Sequence, residues 1–108
     1  MTDLSTPNIV TKHPARITAV QNLTSKSSAA TSATMLAANT ARKGVIIHNT
    51  DEYAMYLKYG ATATTAIGGY TVKIGPDQTW EMPEPIFTGV LDAIWAANGS
   101  GGAAITET

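Results

Sequence analysis

The sequence predicts an all-β fold: a small antiparallel β-sandwich or jelly roll with an extended N-terminal arm. Three observations lead there. From Arg42 onward, short apolar runs with period-2 alternation recur at a spacing of about 8–12 residues, separated by Gly, Pro, Asn and Asp. No strand–helix–strand unit interrupts them, which argues against a parallel sheet. The chain also has two compositional regimes: the first 43 residues contain no glycine, and no aromatic precedes Tyr53. We therefore divide it into an arm, residues 1–34, and a sandwich domain, residues 35–108.

Taken in order, residues 1–16 carry Pro7 and Pro14 without a regular period and read as extended coil. Ile17–Ser25 has β-branched residues in partial alternation, so a strand fits there. Lys26–Thr34 is Ser/Ala/Thr with little to hold it down. Ala29–Ala41 has the alanine content of a helix, but Thr31, Ser32, Thr34 and Thr40 oppose that reading, and a strand through Met35–Ala37 is preferred. Gly44–His48 is a β-branched run closed by Asn49–Asp51. In Tyr53–Tyr59, residues Tyr53, Met55, Leu57 and Tyr59 share one face, and Gly60 ends the run. Tyr70, Val72 and Ile74 point inward, with Thr71 and Lys73 outward. Gly75-Pro76-Asp77 is a turn, because proline presets its φ and glycine accepts dihedrals closed to other residues. Thr79–Met82 puts Trp80 and Met82 on one side. Gly89–Ala96 is the most apolar run and reads as a central strand. Asn98–Gly102 forms a hairpin loop, and Ala103–Glu107 closes the chain. This gives about six strands after Arg42 and one or two before it.

Composition narrows the function. The chain has 108 residues, 44% hydrophobic but only 14% charged, against about 25% charged in typical soluble domains. With 17 Ala and 17 Thr, a low-charge, hydroxyl-rich surface fits either a small β-domain or one covered by other protein. A net charge of -1 argues against a dedicated nucleic-acid partner. Residues 1–40 carry Lys12, Arg16 and Lys26 against Asp3, so the arm is slightly basic. There is no cysteine, hence no disulfide or thiolate metal site. No run of about 18 apolar residues predicts a membrane span. The first residues lack both the basic and the apolar region of a secretory signal, so none is expected, and the triplets at Asn22 and Asn98 are read as coincidental glycosylation sequons.

Candidate chemistry is sparse. His13 and His48 have no His, Cys or carboxylate at ligand spacing, so no metal is expected, and His48, beside Asn49, Asp51 and Glu52, reads as a hydrogen-bonded turn histidine. Ser25, Ser27, Ser28 and Ser32 lie outside any G-x-S-x-G elbow. Glu81 and Glu84 flank Pro83 as solvated rim charges rather than a catalytic pair. Gly99–Gly102 superficially resembles a phosphate loop but lacks the Lys-Ser/Thr ending and a following helix. Trp80 and Trp95 fit core packing better than a sugar-stacking platform. Arg42-Lys43 reads as an exposed strand start, with phosphate contact as its alternative. No catalytic residue and no cofactor are assigned, and an enzyme is not expected.

Residues 39–108 resemble small β-sandwich virion structural proteins of tailed bacteriophages. The resemblance lies in Asn39–Asn49, Leu57–Gly60, Ile74–Gln78 leading to Trp80-Glu81, Thr88–Val90 to Ala93-Ile94, and Ile105–Glu107. It implies a structural role as a capsid decoration (cement) protein, a homo-oligomer (trimer or dimer), and the major capsid protein as partner. The protein would be made in the host bacterial cytoplasm and lodged on the capsid surface of the virion. A head–tail connector or tail or fibre component is the alternative, and a carbohydrate-binding module is a second one. Energetics agree with an arm that needs a partner. Ordering backbone costs roughly 1–2 kcal/mol per residue, whereas each buried aliphatic returns at most roughly 1.5–3 kcal/mol. Ile9, Val10, Lys12, Arg16, Ile17, Val20 and Leu23 are therefore the expected partner-binding residues, gaining support from strand addition to a neighbour. A tail without a partner is the plainer alternative.

Overall fold

The structure, a computed structural model, describes residues 21–108. It is all-β, with eight strands in two antiparallel four-stranded sheets. The strands are β1 (Asn22–Ser27), β2 (Ala33–Leu36), β3 (Val45–Asn49), β4 (Met55–Tyr59), β5 (Val72–Ile74), β6 (Thr79–Glu81), β7 (Leu91–Trp95) and β8 (Gly102–Glu107). One sheet has the order β1-β8-β3-β6, the other β2-β7-β4-β5.

The alternation of the sequence sets the faces. Val45, Ile47, Met55, Leu57, Ile74, Ala103 and Ile105 turn into the core, where Met35, Leu36, Met82, Leu91, Ala93 and Trp95 join them. Burying a large aliphatic side chain of this kind contributes about 1.5–3 kcal/mol, so this inward set is the main source of cohesion between the sheets. As expected from its composition, β7 is central, flanked by β2 and β4. Six strands follow Arg42 and two precede it.

Four local expectations are corrected. The arm–domain boundary placed at residue 34 falls inside β2, and residues 22–36 supply β1 and β2 to the sheets. β1 lies on β8 by backbone pairing, which needs no apolar side chains. Lys26–Thr34 is held after all: the Ser28 amide donates to the Gly101 carbonyl (2.9 Å), the Ala30 amide to Asn98 Oδ1 (2.7 Å), and the Trp95 amide to the Ala29 carbonyl (2.9 Å). Tyr53 is exposed because β4 begins only at Met55, and strand parity does not extend into the bend before it. In the Gly75–Gln78 turn, Asp77 rather than a glycine takes the left-handed conformation (φ 59°), at the position where a type II turn requires it. The Gln78 amide closes that turn on the Gly75 carbonyl at 3.1 Å.

Candidate interaction surface

The buried polar residues serve the fold. Arg42, expected at an exposed strand start, is instead buried, its side chain fully enclosed. Its Nε donates to Glu107 Oε2 at 2.7 Å, and its terminal nitrogens donate to the carbonyls of Phe87 (2.7 Å), Gly89 (2.9 Å) and Ala37 (2.8 Å). One planar guanidinium thus ties the β2–β3 connection to the end of β8 and to the loop before β7, using the fork geometry peculiar to arginine. No donor remains to meet a phosphate.

Asn49 continues the inward parity of Val45 and Ile47 and is fully enclosed. Its Oδ1 accepts from Trp95 Nε1 (3.1 Å) and from the Asp51 amide (3.0 Å). Its Nδ2 donates to the carbonyls of Tyr53 (2.9 Å), Ile74 (3.0 Å) and Gly75 (3.2 Å). Because an indole N–H can only donate, the amide orientation is fixed. The same bond settles Trp95 as a core residue.

The glycine loop before β8 holds carboxylates of this chain where a phosphate loop would hold a ligand. The Gly101 amide donates to Asp51 Oδ1 at 2.8 Å, and the Ser100 amide to Glu52 Oε1 at 3.1 Å. Burial pushes the Asp51 carboxyl up, but hydrogen bonds from the Gly101 and Tyr53 amides and from the Ser28 and Glu52 side chains outweigh it and hold the group below 3.8. His48, on the outer face of β3, has Thr79 Oγ1 at 2.6 Å from Nδ1 and Asp77 Oδ1 at 3.0 Å from Nε2. Its partners are therefore across the sheet and in the next turn, not the adjacent Asn49, Asp51 or Glu52. Glu81 and Glu84 are exposed. Among the described residues, no group of three or more His, Cys, Asp or Glu could hold a metal ion, and no helix is long and apolar enough to cross a membrane.

Trp80 is half-buried. With Tyr59 and Phe87 it forms an aromatic cluster at the side of the sandwich where β5 and β6 lie: Tyr59 stacks on Phe87 (4.7 Å, 8°) and meets Trp80 edge-on at 6.4 Å. Burial raises the Tyr59 phenol above 10.0. An open cleft of about 320 Å³ beside it is lined by Lys73, Ile74, Gln78, Thr79 and Trp80.

What remains for a partner is surface and edge. Across the outer face of the first sheet, Leu23, Thr106, Ile46 and Glu81 form one lateral row, and Ser25, Ala104, His48 and Thr79 the next. Leu23 is 76% exposed and Ile46 43%, and Glu81 is the one formal charge in the two rows at neutral pH. A third exposed aliphatic, Ile67 (97%), stands in the β4–β5 loop. The loop reaches from β4 to the β1–β2 link, where the Ala63 amide donates to Ser32 Oγ (3.0 Å). The four sheet edges differ. β5 and β6 have three residues each, and β2 has four with a register shift between Thr34 and Leu36. β1 runs six residues in unbroken register on β8. Of the expected partner-binding residues, Leu23 lies on this strand, pointing outward. Ile9, Val10, Lys12, Arg16, Ile17 and Val20 lie outside the described residues.

No family model matches this chain, and no curated protein or solved structure matches it either.

Proposed function

We propose that this chain is a virion structural protein, a capsid decoration protein that binds the assembled major capsid protein shell as a homo-oligomer and stabilises it mechanically. Interface area spread over neighbouring shell subunits opposes the outward pressure of packaged DNA. The observation that carries the reading is the weakly charged outer face of the first sheet with its regular β1 edge, where Leu23 and Ile46 stand exposed in one row. Residues 1–20 lead directly into that edge, so contacts they make with a neighbour would add avidity to those of the face. The resemblance of residues 39–108 to phage β-sandwich proteins supplies the shell as partner.

The test is co-sedimentation of the purified full chain with shells stripped of it, together with electron-microscopic labelling of intact particles. Binding across the shell surface, with a raised disassembly temperature, supports decoration. Label confined to the vertex or tail would make the chain a head–tail connector or tail component, and its absence from purified particles would end the reading.

One observation favours a second reading, a carbohydrate-binding module: half-buried Trp80 lines an open cleft with Lys73, Gln78 and Thr79. Trp95 is 1% exposed, so any tryptophan emission that shifts on adding glycans reports Trp80. A shift abolished by Trp80→Phe would favour that reading.

A further inference from the structure

We infer that the open edge of β1 is a self-pairing edge: two copies of this chain join β1 to β1, antiparallel about a two-fold axis at Leu23. This rests on the self-association in the proposed function and is independent of the shell.

An uncovered strand edge presents a row of unpaired amides and carbonyls, and folded proteins blunt such edges by shortness, bulges, proline or charge. Three of the four edges here are blunted in that way, by three-residue strands or a register shift. β1 is not: it has six residues, no proline and unbroken register, with Lys26 its one charge. Its side chains add little to its own fold, since all but the half-buried Lys26 are exposed. A strand so placed has its pairing capacity and its side chains free for a second copy.

The sequence of β1 selects the register. Residues directly opposite in an antiparallel pair lie on the same face. Pairing centred on Lys26 would set two ammonium groups against each other, which is unfavourable. Pairing centred on Thr24 or Ser25 would leave each exposed Leu23 facing a serine. Pairing centred on Leu23 sets the two leucines side by side at the axis, with Asn22 opposite the second copy's Thr24 and Gln21 opposite its Ser25. Because Leu23, Thr106 and Ile46 already form one lateral row, the dimer carries a continuous apolar row from Ile46 to Ile46 across an eight-stranded sheet. The contact is isologous and closes on itself, so it ends at the dimer. Five residue pairs alone fall short of the roughly 1,200 Å² of a stable interface. Residues 1–20 of each copy enter alongside the second copy's Ser25–Ala29, where they can supply the rest.

The chain contains no cysteine, so single substitutions report the register. Opposed residues in an antiparallel pair lie about 4.5–5.5 Å apart at Cα, within the span of a disulfide. At a rise of about 3.4 Å per residue, Ser25 is roughly 14 Å from its own copy in this register and Ser27 roughly 27 Å. The expected result is a solution mass twice the 11.3 kDa chain, rapid disulfide dimers from Leu23→Cys under mild oxidation, and slow ones from Ser25→Cys and Ser27→Cys. Leu23→Lys should halve the mass without lowering the melting temperature, because the side chain is already exposed. A full-length monomer, faster cross-linking at Ser25 or Ser27, or a Leu23→Lys dimer would each overturn the inference. So would a monomer whose β1 amides resist exchange on both edges, which would place the chain's own residues 1–20 on the strand. A monomer that still decorates shells sinks this inference alone; a dimer that ignores shells sinks the decoration reading alone.

Discussion

Replacing Arg42 by alanine should remove a large fraction of the stability of this domain. Removing one partner of a buried ion pair costs about 3–5 kcal/mol, because the other charge is left without compensation. Here the abandoned group is the Glu107 carboxylate, whose side chain is 11% exposed. The loss extends to three backbone carbonyls, at Ala37, Phe87 and Gly89, which the guanidinium also serves. Water entering the vacated space would serve some of them, so about 4 kcal/mol is the working figure, against a typical total of about 5–15 kcal/mol. For a domain of this size that corresponds to a fall in Tm of about 15–30 °C, or about 2 M in urea midpoint at a slope of about 2 kcal/mol/M. Urea unfolding followed by Trp95 emission reads it directly. Two companions separate the contributions. Arg42→Lys keeps the charge but cannot span four acceptors, and should cost about 2 kcal/mol. Arg42→Met with Glu107→Leu removes both charges and leaves only the carbonyls orphaned, so it should fall between wild type and Arg42→Ala. A cost below about 1 kcal/mol for Arg42→Ala would refute the view that this residue fastens the β2–β3 connection to β8.

Three further outcomes follow from the buried network. Asn49→Ala orphans the Trp95 indole and the Asp51 amide together; it should cost about 3 kcal/mol and alter Trp95 emission in the folded state, and an unchanged urea midpoint would contradict the hub role. The Asp51 carboxyl is depressed on folding, so its contribution is in place above the unfolded value of 3.8 and is lost as the pH falls through the lower folded value. Asp51→Asn should therefore lower stability at neutral pH and flatten the acid limb of a stability–pH curve below about pH 4; an acid limb identical to wild type would rule this out. Gly102→Ala would set a Cβ at 1.7 Å from the Lys26 carbonyl oxygen, so β1 should detach while the rest of the sandwich persists, seen as faster amide exchange over Asn22–Ser27 than over Val45–Asn49.

The sequence disclosed what side-chain parity encodes and missed what the backbone encodes. Val45 and Ile47, Met55 and Leu57, and Ile74 were placed inward by alternation alone, and the structure buries them. Asn49 was within reach of the same rule, two residues beyond Ile47, because a polar residue on an inward position must find partners in the core. Arg42 was not within reach: three of its four acceptors are carbonyls, which no residue type announces. β1 escaped for a related reason. Weighing the segment's few aliphatics against its ordering entropy presumed that side chains must hold it, whereas β8 holds it by the ladder, with Leu23 facing outward. Gly102 shows how little signal such an arrangement leaves. Read as the last residue of a hairpin loop, it is the first residue of β8, and only the absence of its Cβ lets the Lys26 carbonyl approach. A strand admitted by one missing methyl group contributes pairing rather than packing, so the edge it exposes is where this chain has most to offer a second copy of itself.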